Sequence, residues 1–156
     1  MYSLFFLLTL IVIIGILAIC SYTDLKTKTI PVYLVGLLYV FVFLNLFLSG
    51  KDKGEASICF CFTLIMFLMV HIISRKQFGM GDVLVIAALG WLIGSSEALK
   101  IFLINMGLFS IPYTVVLYLY HKNRYSFNDD RSIYPYIPVV FFTTVIFFAY
   151  PDLFIY

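Results

Sequence analysis

The chain has 156 residues, 63% of them hydrophobic and 12% charged, and a formal net charge of +2. Soluble domains carry about 25% charged residues, so this composition, with a mean hydropathy of +1.08, excludes a soluble enzyme. The small net charge and the lack of a basic patch exclude a nucleic-acid-binding module, and no nucleic acid is expected as a partner. A spanning helix needs roughly 20 apolar residues. The length therefore fits about six spans without a soluble domain. The expected fold class is all-α, a polytopic membrane protein forming a single membrane-embedded domain over residues 1–156.

The first apolar run, Ser3–Tyr22, has no Lys or Arg ahead of it, which predicts a retained span and not a cleaved signal peptide. It leads into "YTDLKTKTIP", Tyr22–Pro31. Here Asp24 is expected to begin a connection, Lys26 and Lys28 to hold topology, and Pro31 to open the next helix, where its missing N–H is harmless. Taken alone, this stretch is an ordinary turn. Spans two and three follow at Pro31–Leu48 and Ala56–Ser74. Then comes "FGMGD", Phe78–Asp82, at the head of a short apolar run, Asp82–Ser95. Gly79 and Gly81 lack Cβ atoms, so the turn can adopt positive φ and a substrate backbone can approach closely. A helix N-terminus also favours a negative charge such as that of Asp82.

Within this fourth run, "GWLIG" (Gly90–Gly94) predicts close helix packing, with Ala87 and Ala88 assisting. The fifth run, Ala98–Tyr120, contains Asn105, expected to hydrogen-bond to another helix. The sixth, Tyr134–Tyr150, opens on "YPYIPV", where Pro135 and Pro138 fit helix initiation and the tyrosines an aromatic belt. Tyr33, Tyr39, Tyr113, Tyr118 and Tyr120 suit interface anchoring or packing. Cys20, Cys59 and Cys61 all lie in apolar runs and behave as small apolar residues, not as a disulfide framework. Neither their spacing nor the separated His71 and His121 makes a zinc site, and no metal is expected.

Seven of the ten Lys and Arg residues fall in the first, third and fifth connections (Lys26, Lys28, Arg75, Lys76, Lys122, Arg124, Arg131), and Lys51, Lys53 and Lys100 in the others. The excess puts the odd connections in the cytoplasm and both termini outside. Asp24 and Asp82, far apart in the chain, then lie at one membrane face and at similar depth. The loop around Asp129, Asp130 and Arg131 reads as solvated on that side.

Two aspartates sharing a site have a known chemistry. They hold one proton between them, so the ionised carboxylate takes a proton from water while the protonated one donates to a scissile carbonyl. The pair titrates as a unit, and acid and base are not assigned to individual residues. Other proteolytic chemistries find no support: there is no H-E-x-x-H, no G-x-S-x-G around Ser95 and Ser96, and no histidine near Cys20 in sequence.

Together "DLKTKTIP" (Asp24–Pro31), "GMGDVLVIAALGWLIG" (Gly79–Gly94) and "IYPYIP" (Ile133–Pro138) resemble the type IV prepilin peptidases, polytopic aspartic proteases with a G-x-G-D motif. The order and spacing agree over essentially the whole chain. The resemblance implies cleavage of the leader from prepilin, pseudopilin or preflagellin-type precursors at the cytoplasmic face. It implies a catalytic pair, Asp24 and Asp82, and a substrate-admitting loop containing Gly79 and Gly81 near Lys26 and Lys28. Pro31, Gly90, Gly94, Pro135 and Pro138 would be structural. Leu84 stands where the family usually has lysine, and Val32 where it has asparagine. The similarity is to the short form, so no zinc, no S-adenosylmethionine and no other cofactor is expected. The partners implied are membrane-inserted precursors and the lipid bilayer. Two other readings stay open on the residues alone: a small ion-coupled transporter, since acids in spans mark ion paths, and a non-catalytic assembly subunit that binds a partner through span four.

Overall fold

The computed structural model describes residues 4–74, 78–122 and 135–149. Among them are six helices and no strand: α1 (Leu4–Thr27), α2 (Val32–Ser49), α3 (Lys53–Ile73), α4 (Met80–Ile93), α5 (Ser96–Lys122) and α6 (Ile137–Ala149). Four helices are long and apolar enough to cross a membrane: α1, α2, α3 and the Ser96–Val116 part of α5. The chain is a helical membrane protein. Its outer faces carry bare apolar side chains such as Phe5, Ile11, Val40, Ile58 and Ile104, the reverse of a soluble surface. Arg75, Lys76, Arg124, Asp129, Asp130, Arg131 and Tyr134 lie outside the described residues, as do the side chains of Tyr118, Tyr120, His121 and Lys122.

The helix α4 is the hub. It packs on α3 and α2 and touches α5, while α1 packs on α2 and α6. Val83, Val85, Ile86, Ala87, Ala88 and Leu89 are all fully buried, so α4 is apolar on every side and shows no outward polar face, as expected of a helix surrounded by others. At 14 residues, α4 is shorter than the roughly 20 of a full span. The helix α6 is shorter still, at 13.

Three expectations change. First, α1 runs on to Thr27, so Asp24 lies in its last turns and does not begin a connection. The hydroxyls of Thr23 and Thr27 bond back to the carbonyls of Cys20 (2.9 Å) and Thr23 (2.8 Å), which keeps this polar stretch helical. Lys28 then stops the helix in the left-handed region, at φ 55, with its N–H donating to the Asp24 carbonyl at 2.9 Å. Second, Asn105 turns back on its own helix, donating to the Ile101 carbonyl at 2.8 Å. The interhelical amide is Asn45 of α2, which donates to Thr9 Oγ1 of α1 at 2.8 Å. Third, the two glycines of "GWLIG" do different things. Gly90 faces α3, whereas Gly94 is the C-cap of α4 at φ 68.

The end of α4 away from Asp82 is closed by the α2–α3 turn. Lys51 Nζ donates to the carbonyls of Leu92 (2.5 Å) and Ile93 (3.0 Å), two of the orphan acceptors of the helix end. Glu55 accepts from the Ser96 N–H at 2.8 Å. Burial pulls the Lys51 ammonium down to about 8. The folded state then binds fewer protons than the unfolded chain between that value and the ordinary lysine range, so Lys51 makes stability rise with pH across this interval. Thermal melts of the detergent-solubilised protein from about pH 7 to pH 10 should show this rise. Lys51→Met, which has no titrating group, should flatten it; an unchanged slope in that variant would assign the effect elsewhere.

Candidate active site

Asp82 is the third residue of α4. One carboxylate oxygen, Oδ2, accepts the Gly79 N–H at 3.1 Å, a reach-back that satisfies an orphan donor at the helix start. The residue is only 2% exposed, and its other oxygen, Oδ1, is buried with no hydrogen-bond partner. Helix capping accounts for Oδ2 alone. A buried acceptor left unpaired is costly, so Oδ1 is the atom that requires a further explanation.

Asp24, also 2% exposed, reaches the site from the C-terminal end of α1. Its Oδ2 accepts the Ile137 N–H at 3.1 Å, across 113 residues of chain. The Tyr136 N–H also lies close to this carboxylate. These are the free amides that open α6, so Asp24 serves as the acid at that helix's N-terminus. Pro135 lies just ahead and Pro138 is buried in the first turn. Asp82 lies within electrostatic reach of Asp24.

The glycines act through close approach, not through unusual backbone angles. Gly79 has φ −67, and only Gly50 and Gly94 among the described glycines have positive φ. A Cβ on Gly79 would lie 3.0 Å from Asp82 Oδ2. A Cβ on Gly81 would lie 3.1 Å from the Ile30 side chain, so Gly81 lets the start of α4 press against the segment joining α1 to α2. Pro31 precedes α2 in extended conformation, its carbonyl accepting the Leu34 N–H at 3.0 Å. Lys26 and Lys28 point outward at this same end of the bundle and are exposed. Val32 is 85% exposed. Leu84 is partly buried, and its carbonyl accepts the Tyr39 hydroxyl at 3.0 Å.

Two aromatic residues frame the acids. Phe78 and Tyr136 meet edge to face with centroids 5.2 Å apart, and each is a chain neighbour of a residue whose N–H holds a carboxylate. The Phe78 carbonyl is tied to His71 Nδ1 of α3 at 2.5 Å. The Tyr136 ring has the Ser110 side chain of α5 close to its hydroxyl. From this aromatic pair an open apolar cleft of about 340 Å³ runs between α3 and α5, walled by Met66, Val70, Met106 and Gly107.

A family model for the type IV leader peptidase family matches residues 11–115. The chain belongs to the type IV leader peptidase family. The matched stretch contains both Asp24 and Asp82, and by this membership the protein is a peptidase, a hydrolase. No curated protein and no solved structure matches the chain.

The leader-peptidase match ends before Pro135 and Pro138, yet this segment supplies the Ile137 amide that holds Asp24. Its local sequence fits helix initiation and an aromatic belt, and nothing in it signals a partner far upstream. From its sequence setting Tyr113 suits interface anchoring or packing. Its ring leans on the core, and its hydroxyl is buried, unpartnered and within electrostatic reach of both acids. Among the described residues, no three His, Cys, Asp or Glu side chains gather as a metal site.

Proposed function

We propose that this leader-peptidase family member is a membrane aspartic endopeptidase, one domain over residues 1–156, in which Asp24 and Asp82 activate water. Its substrates are precursors of the type IV prepilin class, pilin, pseudopilin or preflagellin-type, cut at the cytoplasmic face of the cell membrane. In this reading all six helices traverse or enter the bilayer and both termini lie outside. Lys26 and Lys28 meet the polar leader, and Gly79 and Gly81 admit the backbone at the scissile bond. The observation that carries the proposal is the buried pair of acids on two separate helices, one with an oxygen left unpaired.

The chemistry follows from a shared proton. The ionised carboxylate takes a proton from water as its oxygen bonds to the scissile carbonyl carbon, and the protonated carboxyl covers the carbonyl oxygen. Collapse breaks the C–N bond, with a proton passing from the pair to the departing amine. The direct test is incubation of the purified protein with a panel of prepilin leader peptides, the products read by mass spectrometry. A single cut that releases the polar leader is expected; intact peptides across the panel would refute the reading.

The cleft between α3 and α5 supports the substrate class. It is apolar, and it ends at the aromatic pair beside the acids, so the hydrophobic stretch that follows a leader fits it. A Cβ on Gly107 would meet nothing within 4 Å. Gly107→Trp should therefore fill the cleft while sparing the fold. Cleavage of a membrane-inserted precursor is expected to fall about a hundredfold, the scale of a misplaced substrate. A short leader peptide without the apolar stretch should be cut as before. Equal loss for both substrates would mean that the cleft does not hold the apolar stretch.

A further inference from the structure

Two buried polar atoms in this end of the bundle have no hydrogen-bond partner: Asp82 Oδ1, an acceptor, and the hydroxyl of Tyr113, a donor. An unpaired buried polar atom is unfavourable, so each of these two keeps a hydrogen-bonding capacity that the fold itself does not use. The Tyr113 hydroxyl bonds to neither carboxylate, although it lies within electrostatic reach of Asp24 and Asp82. Tyr136, the other phenol near Asp82, has the Ser110 side chain close by. Tyr113 follows Pro112, inside α5, so it enters the site from a helix that supplies neither acid.

We propose that Tyr113 is a third catalytic group, whose O–H donates to the oxygen of the scissile carbonyl as negative charge builds on it. This rests on the peptidase reading above. A peptide unit set between the acids would take the spare donor at its carbonyl oxygen. The attacking water would take the spare acceptor, Asp82 Oδ1. Water adds its oxygen to the carbonyl carbon and gives one proton to the acid pair. The carbonyl oxygen carries the new charge under the Tyr113 hydroxyl, which keeps its proton throughout. The C–N bond then breaks and the pair returns a proton to the nitrogen. A donor aimed at charge that appears only in the transition state raises kcat and leaves ground-state binding alone.

The test is Tyr113→Phe in the full chain, assayed on a leader peptide that the wild-type protein cuts. Loss of one such donor costs about 10²- to 10³-fold in kcat, with KM expected to stay within about twofold. Because the hydroxyl is unpaired in the fold, its removal should leave the melting temperature unchanged or raise it. A variant that keeps a wild-type kcat overturns the proposal. So does one that changes only KM, or one whose melting temperature drops, since the hydroxyl would then be a structural donor. A wild-type protein that cuts no leader at all is a different failure, of the peptidase reading itself.

Discussion

Asp24→Asn and Asp82→Asn are each expected to lower leader cleavage by about 10³-fold or more, near the upper end of what a positioned acid or base supplies. The amide is nearly isosteric with the carboxyl. In the first variant an amide oxygen can still accept the Ile137 N–H, and in the second the Gly79 N–H. Membrane insertion and packing should therefore survive. Each variant also removes a buried ionisable group, which does not cost the fold stability when its hydrogen bond is retained. What each loses is the shared proton, and a pair that shares one proton fails as a unit. The double variant should accordingly be no slower than either single one, within a few-fold, because the second loss removes nothing that still operates. Initial rates on one leader peptide, with melting curves for every variant, make the comparison. Either single variant cutting at the wild-type rate would dissolve the pairing, and a transporter or assembly role would again have to be considered.

The second large effect concerns the fold. Gly90→Leu should prevent stable assembly of the bundle, and Gly90→Ala should destabilise it by about 1–3 kcal/mol through overpacking. A Cβ at position 90 would run into Thr63 Oγ1 and lie 2.8 Å from the Cys59 carbonyl oxygen of α3. That part of α3 cannot yield locally, because Thr63 Oγ1 is itself bonded to the Cys59 carbonyl at 2.8 Å. Relief would require α3 to move away from α4, and these two pack most extensively among the described helices. Gly15→Ala and Gly36→Ala serve as controls. A Cβ at either position would meet nothing within 4 Å, so these changes should be neutral or stabilising by up to about 1 kcal/mol through helix propensity. Melting temperatures in one detergent decide the matter. A Gly90→Ala variant as stable as the controls would show that α3 and α4 can separate without cost.

Much of this protein is determined by sequence alone, because the membrane makes local composition decisive. Long apolar runs become helices wherever backbone groups cannot bond to water, and most helix boundaries among the described residues fall near the hydropathy boundaries. The exception, the end of α1, depends on threonine hydroxyls that bond back to the helix and so hide its true length from hydropathy. The two acids are also legible, since a carboxylate at the edge of an apolar run is conspicuous and the motifs around both are short and contiguous.

Only the tertiary structure decides what those acids touch. The bond from Ile137 to Asp24 joins the last helix to the first, and no local pattern around Pro135–Pro138 announces it. Likewise a tyrosine in an apolar helix suits anchoring or packing, and only the fold leaves its hydroxyl buried, unpartnered and within electrostatic reach of two carboxylates. Gly90 and Gly94 belong to one motif in the chain, yet they part company in space, one against α3 and the other capping α4. The physical reason is the same in each case. Burial in a membrane helix follows from the residues next to it in sequence, whereas hydrogen-bond partners and close contacts follow from which helices become neighbours.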